Sequence, residues 1–211
     1  YSEMLVHVAF HNQQNINNIL ILGGGDGAIA RECLKYDIEK ITLVDIDEYV
    51  INTSKKYFYD INKNSLINDK IEIIIENAYN FVEKTKEKYD LIIIDRPGYR
   101  GVAECLYSKN FYKNLNKISK GSVILQGNDI FYEEEICIND FNNLKEIFNN
   151  VVPYWTIVPT YLGGYYIIFW AFNSINFSKK HCNIQTHYFN DEINSICFKF
   201  PKFIKEKLCL Q

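Results

Sequence analysis

The sequence predicts an α/β fold: a mostly parallel seven-stranded sheet with helices on both faces and an antiparallel hairpin at the C-terminal end. Three observations predict it. Runs rich in Ile, Leu and Val recur along the chain, and they are too continuous to leave one sheet face in water. Helical patterns separate the first five of these runs, as crossover connections between parallel strands require. The last two runs, VVPYWTIVPTY and GYYIIFWAF, have only a short link around Leu162 to Gly164 between them. Such a link has no room for a crossover helix, so those two strands must pair antiparallel.

The elements follow in order. NNILILG gives a first strand ending at Gly23, and DGAIARECLKY a helix whose Ile29, Cys33 and Leu34 fall near helical spacing. KITLVDID (40–47) is a second strand and EYVINTSKKYF a second helix. KIEIIIE (70–76) is a third strand, followed by a short helix in AYNFVEKTK. YDLIIID (89–95) is a fourth strand, LYSKNFYKNLNKIS (106–119) a helix, and GSVILQG a fifth strand. A further helix runs to about Asn150, and the hairpin closes the series. Five βα units with a terminal hairpin is the Rossmann-like, methyltransferase-type arrangement.

Composition narrows the function. With 211 residues, 47% apolar and 23% charged, the chain is long enough for one domain with a substantial core. A net charge of -3 favours neither nucleic acid nor an anionic membrane surface as a partner. No apolar run approaches the ~18 residues of a membrane span. Six scattered cysteines without CxxC pairs read as thiols of a reducing compartment, and four unclustered histidines give no expectation of a metal site. No signal-peptide pattern is present, and a cytoplasmic location is expected. The first residue is Tyr1 rather than Met, so the chain is expected to begin inside a longer gene product.

Four of the ten glycines, Gly23, Gly24, Gly25 and Gly27, crowd into one strand-to-helix loop. Gly23, Gly25 and Ala28 fit the G-x-G-x-x-G/A pattern, in which the backbone approaches a nucleotide closely. The second strand ends in Asp45 and Asp47, about 20 residues on, where an acid that accepts from ribose hydroxyls belongs. Strand alternation points both side chains the same way, and the sequence alone leaves the choice between them open. Asp26 is the informative residue. A carboxylate facing a pyrophosphate would be repelled, whereas one facing a cation is favoured. S-adenosylmethionine-type ligands carry a sulfonium and an ammonium and no phosphate, so Asp26 turns the expectation from NAD or ATP towards an adenosyl sulfonium. Its alternative role is to cap the following helix.

The chain resembles the spermidine synthase family, the polyamine aminopropyltransferases. YSEMLVH, LGGGDGAIARE, LVDID, YDLIIID followed by AECLYSKNFY, the QG pair, VPTYLGGYY and the tail HYFNDEINSICFKFPKFI occur in the family's order and cover essentially the whole chain. The resemblance implies transfer of the aminopropyl group of decarboxylated S-adenosylmethionine to putrescine or a related amine, releasing methylthioadenosine. The donor is a co-substrate, and no tightly bound cofactor is implied. By the same resemblance Asp95 is the catalytic aspartate at the end of the fourth strand. Asp26 would hold the aminopropyl ammonium, Asp45 the ribose, and Asn77 and Ala78 the adenine. Gly23 and Gly25 shape the donor loop, and Ala103 and Leu106 pack near the adenine. Tyr1, Gln126 and Tyr161 would line the acceptor pocket. Residues 1–211 are expected to be the catalytic domain, without the small N-terminal β domain of the family, and a homodimer or homotetramer is implied.

The loop after the fourth strand departs from the family pattern D-S-x-D-P-x-G-P-A. It reads DRPGYRGVA, so Gly98 stands in place of a second acceptor-binding Asp, and Arg96 and Arg100 are added. The arginines are expected to face water rather than a carboxylated substrate. Asn77 replaces Asp, a soft change because its carbonyl still accepts a hydrogen bond. Two other readings fit the fold, a small-molecule methyltransferase using S-adenosylmethionine itself and a non-catalytic relative. Asp26 argues against the first, and the joint presence of Asp26 and Asp95 against the second.

Overall fold

A computed structural model describes residues 1–178 and 180–210. In chain order it contains α1 (Ser2–Asn12), β1 (Asn18–Gly23), α2 (Ala28–Cys33), β2 (Lys40–Asp45), α3 (Glu48–Tyr57), α4 (Tyr59–Asn62), β3 (Ile71–Ile75), α5 (Ala78–Lys84), β4 (Tyr89–Asp95), α6 (Lys109–Ile118), β5 (Ser119–Asp129), α7 (Glu134–Lys145), β6 (Asn150–Ile157), β7 (Tyr165–Phe172), α8 (Asp191–Ile196) and α9 (Lys202–Lys207). The seven strands form one sheet in the order β3-β2-β1-β4-β5-β7-β6. Strands β1 to β5 pair in parallel, and β7 runs antiparallel between β5 and β6. The predicted fold class is the one observed.

Alternation along the strands divides the core into two layers. Ile19, Ile21, Ile41, Leu43, Leu91 and Ile93 face one side and pack with Met4, Leu5 and Val8 of α1 and Ile29 of α2. Leu20, Leu22, Val44, Ile92, Ile94, Val123 and Leu125 face the other side and pack with Phe111 and Leu115 of α6 and Phe141 of α7. The central strands β1 and β4 are thus apolar at successive positions through Ile19–Leu22 and Leu91–Ile94, because both faces are covered there.

Three differences from the sequence reading have physical causes. Helix α1 was not expected, because Met4 to Phe10 are buried all round and leave no amphipathic period to detect. It is tied down by Glu3, whose carboxylate accepts from the backbone N–H groups of His187, Tyr188 and Phe189 at 2.8–2.9 Å. Burial alone would raise the Glu3 pKa, but the three donors hold it below the ordinary value. Strand β6 stops at Ile157 rather than Tyr161, since residues 158–164 fold back on themselves through Val158 N–H to Gly164 and Tyr161 N–H to Val158 bonds. The helix expected from Leu106 begins instead as a 3-10 turn over Gly101–Tyr107, and α6 starts after a Ser108 side-chain cap on Phe111 N–H. Among the described residues, no helix is long and apolar enough to cross a membrane.

Candidate active site

The carboxyl ends of β1, β2, β4 and β5 converge at the point where the strand order reverses between β1 and β4, the usual ligand crevice of an open α/β sheet. Gly23 ends β1 directly beside Asp95 at the end of β4. A Cβ at Gly23 would lie 2.0 Å from the Asp95 carbonyl oxygen, and Gly23 sits at φ +83°. Only glycine combines that closeness with that conformation. Gly23→Ala is therefore expected to destabilise the fold by about 2 kcal/mol or more. An unchanged melting temperature would contradict the assignment.

The remaining loop residues are held from β2. Gly25 N–H donates to Asp45 Oδ2 at 3.0 Å, and a Cβ there would come within 2.7 Å of the same oxygen. Asp45 Oδ1 accepts from Asp47 N–H. Asp47 itself turns away and caps α3, accepting from Tyr49 and Val50 N–H. The structure thus settles the choice the sequence left open: Asp45 faces the glycine loop, and Asp47 is an exposed helix cap. Asp26 also has a capping bond, from Ala28 N–H at 2.9 Å. Capping is not its whole environment, because its charge acts on both Asp95 and Tyr161.

Asn77 caps α5 through Oδ1, which accepts from Tyr79 N–H at 2.8 Å. Its neighbour Ala78, like Leu106 and Ile74, is partly buried against the core layer that holds Leu22 and Ile94. Ala103 is buried within the 3-10 turn. Asn77 and Ala78 follow the carboxyl end of β3, and Ala103 and Leu106 lie in the 3-10 turn that follows β4.

Three tyrosines cluster beside Asp95. Tyr1, at the N-cap of α1, is brought to the sheet end by that helix. Its hydroxyl lies 2.8 Å from Asp95 Oδ1 and 2.5 Å from Gln126 Oε1. Gln126 Nε2 donates to the Arg96 carbonyl, which fixes Oε1 towards Tyr1. One hydroxyl hydrogen thus serves two acceptor oxygens. Both contacts are satisfied together when Asp95 is protonated and donates to Tyr1, which then donates to Gln126. Burial pushes the Asp95 pKa up to about 6, with the charges of Asp26 and Asp45 adding to the rise and the Tyr1 hydrogen bond opposing it. Tyr161 meets the Tyr1 ring edge-on at 6.2 Å. Tyr166, which sequence reasoning did not single out, meets Tyr1 at 6.5 Å and Tyr161 at 5.1 Å. Its signal was its register: it pairs with Asp129 at the end of β5, next to the site.

The loop after β4 corrects one expectation. Arg96 does not face water. It is only 3% exposed and ion-paired with Asp140 of α7. Burial beside β4 leaves the guanidinium no alternative to protein partners. Arg100 is exposed, as expected. Gly98 is exposed, and nothing lies within 4 Å of where its Cβ would be.

The chain is similar to known proteins over nearly its whole length. A family model described as the spermine/spermidine synthase domain matches residues 1–181. A polyamine aminopropyltransferase of Buchnera aphidicola subsp. Acyrthosiphon pisum is 34% identical over 99% of this chain and 77% of its own length. One from Thermoplasma acidophilum is 34% identical over 98% of this chain and 76% of its own. A crystal structure of spermidine synthase in complex with the transition-state analogue AdoDATO superposes with a TM-score of 0.93 at 30% identity, covering all of this chain and 75% of that one. Spermidine synthase from Thermotoga maritima superposes with a TM-score of 0.91, also at 30% identity. The chain belongs to the spermine/spermidine synthase family, a transferase whose activity is polyamine aminopropyl transfer with decarboxylated S-adenosylmethionine as co-substrate.

Proposed function

We propose that residues 1–211 form the catalytic domain of a spermidine-forming aminopropyltransferase, with the donor between the glycine loop and Leu106 and the acceptor amine between Asp95 and the tyrosines. The observation that carries this reading is the set of oxygens around one point: Asp95 Oδ1, Tyr1 Oη and Gln126 Oε1, within 2.5–2.8 Å of one another along the chain of contacts. An amine nitrogen placed there meets hydrogen-bond acceptors on several sides.

In this reading Asp45 accepts from the ribose hydroxyls, while Asn77, Ala78, Ala103 and Leu106 enclose the adenine. Asp26 faces the aminopropyl ammonium. The amine nitrogen attacks the aminopropyl carbon bonded to the sulfonium, the new C–N bond forms as that C–S bond breaks, and the sulfur leaves with the electron pair as methylthioadenosine. An alkyl amine has a pKa of roughly 10, so its proton must be taken up. Asp95 orients the nitrogen and accepts that proton. Withdrawal from water lowers the ammonium pKa and raises that of Asp95, which narrows the gap between them. Holding carbon and nitrogen in line supplies much of the remaining acceleration. Gly98 offers nothing to the distal ammonium of a diamine. The ring faces of Tyr1, Tyr161 and Tyr166 offer cation–π contacts instead.

The acceptor is putrescine or a close relative, the location cytoplasmic, and the assembly a homodimer or homotetramer by family likeness. A product assay decides the acceptor: methylthioadenosine is expected from decarboxylated S-adenosylmethionine with putrescine, and from cadaverine, agmatine or spermidine more slowly. No product with any of the four would overturn the catalytic reading. Asp26→Asn is expected to weaken binding of the cationic donor about tenfold or more, since hydrogen bonds to charged groups are the strong ones. Binding of neutral methylthioadenosine should stay within about twofold. Calorimetry showing equal losses for both ligands would remove Asp26 from the ammonium.

A further inference from the structure

Arg96 is the most densely bonded side chain beside the site, and its guanidinium reaches four elements. Nη1 donates to the Leu106 carbonyl and to the Tyr112 hydroxyl, each at 2.7 Å. Nη2 donates to the Gln126 carbonyl at 3.1 Å and to Asp140. The guanidinium carbon stacks 3.4 Å from the Tyr107 ring centroid. These partners lie on the 3-10 turn, α6, β5 and α7.

The side chain and backbone of this one residue grip Gln126 from both ends. The guanidinium holds the Gln126 carbonyl, and the Arg96 carbonyl accepts from the Gln126 side-chain Nε2. That second bond decides which end of the amide faces Tyr1. With Nε2 turned to Arg96, Oε1 faces Tyr1 and the amine position beyond it. A free amide would present NH2 about as readily, and an NH2 group repels an ammonium.

Stability alone gives little reason for this arrangement. A buried ion pair roughly breaks even against apolar residues of the same volume. The planar fork, by contrast, joins several fixed acceptors at once, which a point charge on a lysine stem does not.

We infer that Arg96 is a positioning residue for the acceptor: it locks β5 against the end of β4 so that Gln126 presents its amide oxygen to the amine. This rests on the catalytic reading above. It assigns a role to the arginine that displaces serine in the family's loop pattern and treats it as part of the acceptor site's scaffold, without contact to substrate.

The test is a double-mutant cycle on full-length protein with putrescine as the probe. Arg96→Lys keeps the buried positive charge opposite Asp140 but loses the fork. It should raise the putrescine KM about tenfold, the worth of roughly one well-made hydrogen bond. The kcat at saturating amine should stay within about threefold and methylthioadenosine affinity within about twofold. Gln126→Ala should raise the same KM, and the double variant should be no worse than the poorer single, because the two act through one contact. Multiplying KM effects in the double variant, an unchanged KM in Arg96→Lys, or an equal loss of methylthioadenosine affinity would each overturn the inference. If Arg96→Lys does not fold, the same cycle with Tyr107→Leu, which removes the stacked ring and leaves the ion pair, decides it by the same criteria. Absence of product from the wild-type chain would instead sink the catalytic reading itself.

Discussion

Asp95→Asn is expected to reduce turnover by about a thousandfold or more, within the range general-base catalysis contributes. The substitution keeps the shape of the side chain and its place beside Gly23. It removes the charge hydrogen-bonded to the Tyr1 hydroxyl and the capacity to take the amine proton. Methylthioadenosine binding should be nearly unchanged, because the proposed function gives the adenosine contacts to Asp45, Asn77, Ala78 and Leu106. Single-turnover kinetics with bound donor, beside calorimetry of methylthioadenosine, check both halves. Activity within tenfold of wild type would remove Asp95 from the chemistry.

The same carboxylate sets a pH dependence. The Asp95 pKa is raised to about 6, so the ionised, proton-accepting form disappears as pH falls through that value. The kcat/KM for the amine should therefore drop on the acid side with an apparent pKa near 6, and Asp95→Asn should lack that limb. For stability the sign is opposite. A carboxyl whose folded pKa lies above its unfolded value binds more protons when folded. Its ionisation then costs stability as pH rises from about 4 to about 6. The site holds Asp95 charged at neutral pH at the expense of the fold.

The second large effect concerns the fold beneath the site. Asp140→Ala is expected to destabilise the protein by about 3–5 kcal/mol, the cost of leaving a buried charge without its partner. Burial would lower the Arg96 pKa, but Asp140 and the neighbouring hydroxyls hold it above its ordinary value. A guanidinium does not shed its proton, so removing Asp140 cannot be relieved by neutralisation. For a chain of this length the melting temperature should fall by roughly 10 °C. A change below about 2 °C would show that the ion pair is solvated. Replacing both partners, with Arg96→Met and Asp140→Leu together, should recover most of the stability but not the putrescine KM. That difference separates the pair's contribution to folding from Arg96's hold on Gln126.

The sequence by itself determined the layered α/β fold, the strand sequence and the hairpin. These are written locally. Strand runs such as LIII of β4 are apolar at every step because both sheet faces are buried there, and Gly23, Gly24 and Gly27 of GGGDG answer to backbone conformations that other residues rarely adopt. The carboxylate of Asp26 points the sequence reading towards a cationic ligand, because charge acts at short range within the same loop. Only the tertiary structure decided the rest. Asp45 and Asp47 look alike along the strand and differ only in what lies across from them, Gly25 N–H for one and the start of α3 for the other. Helix α1 has no exposed face to reveal its period, since Glu3 to His11 are all buried. Arg96 and Arg100 are four residues apart and chemically identical, yet one is sealed among Tyr107, Tyr112 and Asp140 and the other is exposed. Burial depends on elements tens of residues away, and residue identity in one loop does not carry that information.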